Sequence, residues 1–320
     1  MVHNMMHSIA MVTYNGEKFI REQIDSILKQ TLSNFELIIC DDCSTDKTYS
    51  ILQEYAQKDN RIKLFRNNHN LGFLKNFEKA LSQCSGDYIA CCDQDDIWTA
   101  NHLEILTTNL GTNDCIGANA LIIDEQGFSI NKTVKDSLSI EIIPESSNSI
   151  FKHECFYNLI QGTACLFKKE LLSHILPFPQ NIKFHDHWIA LNAAIQNGCK
   201  YTSEIVLSYR THKNNVTGFH KFNLFHAIKT AFQSRKIRQQ LYEPNIIMLK
   251  SIQKNKLFPQ DLFYINQAIQ FYENLASGKN RIHSILFYIK NYNEIALCFR
   301  KKWKLFLYRL FCLAIFGIML

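Results

Sequence analysis

The chain has 320 residues, 47% hydrophobic and 20% charged, which excludes a disordered or fibrous protein and a short disulfide scaffold and suits one large domain or two. The net charge of +6 conceals a division: residues 1–219 carry 19 basic and 25 acidic side chains, residues 220–320 carry 16 and 4. A slightly acidic body with a basic, aromatic-rich tail points to an anionic partner for the tail, phospholipid or nucleic acid. Eleven cysteines lack framework spacing, which indicates a reducing compartment. Cys40 and Cys43 form a CxxC without a second pair, so neither zinc nor redox chemistry is expected there. MVHNMMHSIAMVTYN has no charged n-region followed by a long apolar run, so no secretory signal is expected.

In chain order, Ser8 to Thr13 is an apolar strand, and Glu17 to Lys29 places Phe19, Ile20, Ile24, Ile27 and Leu28 at helical spacing. Phe35 to Cys40 is a second strand, Asp46 to Gln57 a second helix, and Ile62 to Phe65 a third strand. Phe73 to Leu81 is a third helix and Tyr88 to Cys92 a fourth strand. Such βα alternation predicts a mostly parallel sheet covered by helices. Cys115 to Ile123 is another strand, the polar stretch near Asp136 to Asn148 a loop, and Thr163 to Phe167 a strand. His185 to Gln196 is a helix and Tyr201 to Ser208 a strand, and from about Phe222 the pattern is helical. A domain boundary is expected near residue 220.

Sheets of this kind bind ligands beyond the carboxyl ends of their strands, where strand order reverses. Polar clusters fall at those ends: Thr13-Tyr14-Asn15-Gly16, Asp41-Asp42-Cys43-Ser44 and Asp93-Gln94-Asp95-Asp96. No GxGxxG or GxxxxGK[ST] opens the first three helices, which argues against a dehydrogenase or P-loop enzyme. Three carboxylates within Asp93–Asp96 repel unless a cation joins them, and Mg²⁺ or Mn²⁺ bound with substrate phosphates suits them. The alternative is a solvated turn that caps a helix.

The ordered set MVTYNGEKFIREQIDSILKQT, FELIICDDCSTDKT, NLGFLKNFEKAL and SGDYIACCDQDDIW resembles the nucleotide-binding half of the family 2 glycosyltransferases over about residues 8–110. The HDHW at His185 to Trp188 and the YRTHKNN at Tyr209 to Asn215 are similar to a bacterial rhamnosyltransferase-like branch. The resemblance implies an α/β, GT-A (Rossmann-like) fold: a mixed, mostly parallel sheet flanked by helices, with a C-terminal helical extension. Residues 1–220 would form the transferase domain, its acceptor half about 111–220, and residues 221–320 a basic helical region. Where the family commonly has Gly in DDGSTD this chain has Cys43, and Gly tolerates positive φ better than Cys.

By the same resemblance, Thr13, Tyr14 and Asp42 would hold the base and Asp93 the ribose side of the nucleotide. Asp95 would bind Mn²⁺ or Mg²⁺, with Asp96 an alternative ligand that spacing does not separate, and His212 a further ligand or diphosphate contact. Asp186 would be the general base; an N-cap is the bland reading of an Asp at a helix start. Arg210 is a candidate for a phosphate contact or an ion pair, and Trp188 and Phe184 for sugar stacking or core packing.

The reaction implied is inverting, metal-dependent transfer of a sugar from a nucleoside diphosphate donor, dTDP-rhamnose or a UDP-sugar, to a hydroxyl of a lipid-linked surface glycan. Residues 300–320 carry five basic residues, and the eleven uncharged residues after Arg309 fall short of the roughly 20 a spanning helix needs. An interfacial helix with Trp303 and Tyr308 at headgroup level is expected, hence a cytoplasmic enzyme peripheral to the inner membrane face, with no nucleic-acid partner. The competing reading is a catalytically silent nucleotide-binding or membrane-adaptor protein on the same fold. A processive synthase would need a QxxRW-type motif and several spanning helices, which the sequence lacks.

Overall fold

The computed structural model describes residues 5–138, 140, 147–213, 215, 235–255, 257–296, 306–307, 309–310 and 312–313. In chain order its elements are β1 (His7–Thr13), α1 (Ile20–Leu28), β2 (Phe35–Asp41), α2 (Thr48–Lys58), β3 (Ile62–Arg66), α3 (Phe73–Ser82), β4 (Tyr88–Cys92), β5 (Ile97–Trp98) and α4 (His102–Leu110). There follow β6 (Cys115–Ile123), β7 (Ser129–Thr133), α5 (Ser147–Glu154), β8 (Cys165–Lys168), α6 (His185–Ile195), β9 (Cys199–Arg210), α7 (Arg235–Ile252), α8 (Pro259–Ser277) and α9 (Arg281–Ile295). They form two compact units, one from Met1–Ser137, Asn158–Phe178 and Phe184–Gly218, the other from Leu138–Tyr157, Pro179–Lys183 and Phe219–Leu320.

The first unit is built on a nine-stranded sheet in the order β3-β2-β1-β4-β8-β6-β9-β5, with β7 paired to β6. Strands β1 to β4 are mutually parallel and β6 is parallel to β9, whereas β8 runs against both neighbours and β5 and β7 run against theirs. The sheet is thus α/β and mixed, with most strands running one way. Every residue of β1 and β2 is buried, as expected for parallel strands covered on both faces. Helix α1 buries Ile20, Ile24 and Ile27, one apolar stripe at spacings of four and three, each side chain stabilising the unit by about 2 kcal/mol.

The chain steps from β1 to β2 to β3 toward one edge, then returns to place β4 on the other side of β1. Strand order therefore reverses beside β1. Register aligns Thr13 with Asp41 and Met11 with Cys92, so the polar clusters after β1, β2 and β4 emerge side by side.

Several elements differ from the sequence reading. Residues 162–164 form a 3₁₀ turn and the strand begins at Cys165, because Gly162 N–H is drawn to Asp186. Strand β9 extends to Arg210, with register shifts against β6 around Asn119. The stretch read as a loop near residues 136–148 runs into helix α5 at Ser147. The sequence reading lacked β5, α4 and β7; β5 has only two residues and β7 is exposed nearly throughout, so neither shows an apolar period.

In the second unit, Pro259 opens α8 and Gly278 closes it in the left-handed region at φ 68°, the usual arrangement at helix ends. Its interior is aromatic: Phe156 stacks on Tyr272 with centroids 5.7 Å apart, and Phe271 lies 5.1 Å from Phe287. Residues 297–305 and most of 306–320, including Trp303 and Tyr308 of the expected interfacial helix, lie outside the described residues. No helix among the described residues is long and apolar enough to cross a membrane.

Candidate active site

A cleft of about 840 Å³ opens in the first unit at the carboxyl ends of β1, β2 and β4, and Thr13, Tyr14, Asp42, Asp93, Asp95, Asp186 and His212 all line it. Asp42 Oδ1 accepts hydrogen bonds from Asn67 Nδ2 (2.7 Å) and Leu71 N (2.8 Å), and Oδ2 from Gly72 N (2.9 Å). These donors fix the carboxylate while Oδ2 keeps a lone pair for a ligand. Its neighbour Asp41 is fully buried and accepts from Thr13 Oγ1 and from Ser44 N and Oγ, so it shapes the turn rather than the cleft wall. Cys43, within that turn, is left-handed at φ 63°.

The loops after β1 and β4 are clamped together. Tyr14 N donates to Gln94 Oε1 (2.8 Å) and Gln94 Nε2 donates to Tyr14 O (3.1 Å), a side-chain amide imitating a strand partner. A Cβ at Gly16 would lie 2.3 Å from Gln94 Oε1, so a larger residue there would push the amide out of this clamp. Tyr14 itself is 46% exposed, so its ring is free to meet a ligand.

Asp95 and His212 come together although 117 residues separate them: His212 Nε2 lies 2.8 Å from Asp95 Oδ2. The imidazole stacks on Phe19 at 5.0 Å, which fixes its plane. Asp93 stands in the same wall, its pKa pushed up to about 7 by burial and by the charges of Asp95 and Asp186. Among the described residues no three His, Cys, Asp or Glu converge as a metal cage. A two-ligand site nonetheless fits Mn²⁺ or Mg²⁺, which fill their remaining positions with water and phosphate oxygens, and the imidazole nitrogen favours Mn²⁺.

Asp96 is turned away from this group and does not line the cleft. It is 1% exposed, its Oδ1 accepts from Arg210 N at 3.0 Å, and burial raises its pKa strongly. As an alternative metal ligand it is therefore misplaced. Arg210 takes up the ion-pair role rather than the phosphate role: its side chain donates to Asp95 O, Glu125 O and Glu22 Oε2 and lies 4.9 Å from the Phe19 ring centroid. This buried guanidinium ties the Asp95–Asp96 turn to α1.

Asp186, which also lines the cleft, lies in the first turn of α6. Its Oδ1 accepts from Asn158 Nδ2 (2.9 Å) and His187 N (2.7 Å), and Oδ2 from Gly162 N (2.9 Å). Burial nevertheless outweighs these donors and pushes its pKa up to about 6, near the range where a carboxylate is an effective general base. His185 is buried and stacked on Phe77 at 3.8 Å, and burial lowers its pKa to about 3, so the ring is neutral. Neither of its ring nitrogens has a hydrogen-bond partner among the described residues. Phe184 lines the cleft, whereas Trp188 belongs to the core, donating to Ile175 O at 2.9 Å. The sequence reading assigned no role to Lys213, a cation on the cleft wall, or to Asn158 and Gly162, which no motif marked.

The glycosyl transferase family 2 model matches residues 8–176. The chain is 28% identical over 299 residues, 90% of its own length and 91% of the other's, to an uncharacterized glycosyltransferase of Haemophilus influenzae. It is 38% identical over 141 residues, 40% of its length and 55% of the relative's, to the Escherichia coli UDP-Glc:alpha-D-GlcNAc-diphosphoundecaprenol beta-1,3-glucosyltransferase WfgD. Among solved structures, S. aureus TarS 1-349 with UDP-GlcNAc aligns at TM-score 0.61 and 19% identity over 91% of this chain and 82% of that one. The mannosyltransferase PcManGT of Pyrobaculum calidifontis with GDP-Man and Mn²⁺ aligns at 0.55 and 17% identity over 97% and 86%. At these identities the two structures speak for the fold alone.

Proposed function

Since this chain belongs to glycosyl transferase family 2, we propose that its cleft binds a nucleoside diphosphate sugar and transfers the sugar, with inversion, to a hydroxyl of a lipid-linked glycan. The single observation that carries the reading is that one cleft gathers Asp93, Asp95 and its hydrogen-bonded partner His212 together with a separately braced Asp186. Thr13, Tyr14 and Asp42 bind the base and Asp93 the ribose. Asp95 and His212 hold Mn²⁺ or Mg²⁺, and Lys213 adds a positive charge for the diphosphate. When bound, the ion neutralises charge that develops on the leaving diphosphate.

Asp186, ionised above about pH 6, accepts the proton of the acceptor hydroxyl as its oxygen attacks the anomeric carbon. The bond from that carbon to the diphosphate oxygen breaks on the opposite side, which inverts the configuration. The N–H groups of Gly162 and His187 keep the carboxylate aimed as it takes the proton. WfgD, by its name, uses UDP-Glc and a diphosphoundecaprenol acceptor, which supports a lipid-linked acceptor and a peripheral place at the membrane. The motifs at residues 185–188 and 209–215 favour rhamnose as the sugar; WfgD is named for a UDP-Glc donor, and the TarS and PcManGT structures hold UDP-GlcNAc and GDP-Man.

The test is a panel of nucleotide sugars with a diphosphoundecaprenol acceptor, product read by mass spectrometry and its anomeric configuration by NMR. One donor yielding an inverted product supports the reading. Retained configuration, or binding without transfer to any acceptor, counts against it.

A further inference from the structure

We propose that the outward face of α9, with the groove beside it, is a docking surface for an anionic phospholipid bilayer. The inference rests on the proposed function for its rationale, an acceptor carried by lipid, and it locates the membrane contact outside residues 300–320, where the sequence places it. Helix α9 carries two stripes. Ser284, Tyr288, Asn291 and Ile295 are buried and seat it within the second unit. A second stripe, Ile282, Leu286 and Ile289, is 73%, 59% and 45% exposed, with spacings of four and three that put the three side chains on one face. Folding of the unit leaves this stripe uncovered, and an apolar row of that kind on a helix marks an interaction surface.

The charges beside the stripe select the partner. Arg281 and Lys290 are exposed on the helix and Lys279 just precedes it. The one acid of α9, Glu294, is already ion-paired with Lys152. Large aliphatic side chains flanked by cations, with no free acid on the helix, match the requirements of an interfacial helix on anionic lipid. A groove of about 250 Å³ between α8 and α9 adjoins the stripe: Leu286, Phe271 and Phe287 give it an apolar floor, and polar side chains including His283 and Lys290 rim it. It offers an apolar seat next to cations, as a phospholipid presents an acyl chain next to a phosphate. Self-association through this face is disfavoured, since pairing two copies brings their Lys290 side chains together while the one acid of α9, Glu294, is held by Lys152.

The experiment is co-sedimentation of the full chain with vesicles of phosphatidylcholine alone or mixed with phosphatidylglycerol. The variants are the triple Ile282→Ser, Leu286→Ser, Ile289→Ser and the double Arg281→Glu, Lys290→Glu. All five side chains are exposed, and unchanged far-ultraviolet circular dichroism and melting temperature will show that the variants fold. Binding to the mixed vesicles alone, weakened about 100-fold in the triple variant and at least tenfold in the double, is the expected result. Equal binding to both vesicles, no binding by the unaltered chain, or a triple variant that binds undiminished would overturn the proposal. So would a dimer in light scattering that the triple variant abolishes, which would make a second copy the occupant. Transfer to a detergent-solubilised diphosphoundecaprenol acceptor, measured without vesicles across the donor panel, separates the two claims: its absence alongside α9-dependent vesicle binding defeats the proposed chemistry and leaves the docking surface standing.

Discussion

Replacing Asp186 with Asn keeps the shape of the side chain and removes its capacity to accept a proton. The native carboxylate takes two donors on Oδ1 and one on Oδ2. An asparagine oriented to keep its oxygen where the two donors converge turns its NH₂ toward Gly162 N–H, leaving that donor unpaired at a cost of about 1–3 kcal/mol. Titration of Asp186 acts in the opposite direction at neutral pH. Because the folded pKa is raised to about 6, the contribution of Asp186 to stability is fully present below the unfolded value near 4 and is lost as pH rises through 6, at about 1.4 kcal/mol per pH unit. Asn does not titrate. The variant is therefore most destabilised relative to the parent near pH 4 and nearly equal to it at pH 8, which melting curves at the two values will show. Loss of a general base lowers transfer by about 10²- to 10⁴-fold, whereas the nucleotide Kd, which depends on Thr13, Tyr14, Asp42 and Asp93, stays within about twofold. A transfer rate within tenfold of the parent, with normal donor binding, would refute the assignment of Asp186 as the base. In the unaltered enzyme, kcat/KM is expected to fall tenfold per pH unit below about 6.

Four further substitutions test the scaffold and the metal site. Cys43→Gly relieves a side chain held at φ 63°; strain of about 1–2 kcal/mol is released against about 0.5–1 kcal/mol of added chain entropy. The melting temperature should rise by a few degrees with activity unchanged; a fall would show that the turn favours Cys. His212→Ala should weaken Mn²⁺ binding, followed by electron paramagnetic resonance, at least tenfold, while Asp96→Asn leaves it unchanged; the reverse order would return Asp96 to the metal site. Arg210→Lys keeps the charge but cannot reproduce the three side-chain donor contacts of the guanidinium, so urea denaturation should show a loss of about 2–4 kcal/mol. Unchanged stability would mean that the turn holds without it.

The strand ends were legible because β1, β2 and β4 are apolar on both faces, so the polar residues that follow them stand out as loops at one edge of the sheet. Thr13, Asp42, Asp93 and Asp95 could be placed near one another from that pattern alone. Spacing did not decide between Asp95 and Asp96, because the outcome depends on Arg210, whose N–H and guanidinium arrive from 114 residues away to turn one carboxylate inward and leave the other on the cleft. Nor did local sequence reveal Asn158 and Gly162 as partners of Asp186: the contacts reach the start of α6 from 28 and 24 residues away, and no motif marks either residue. Helix α4 was missed although Leu103, Leu106 and Leu110 lie on its buried face, since it directly follows a strand of two residues that no period marks.

The most direct measurement is calorimetric titration of UDP, dTDP and GDP into the purified chain, with and without Mn²⁺, for the parent and for Asp95→Ala. The account predicts that one nucleotide binds at micromolar Kd only with the metal, and that the variant loses the metal-dependent part. Failure of all three to bind in the presence of Mn²⁺, or binding indifferent both to the ion and to Asp95, would contradict it.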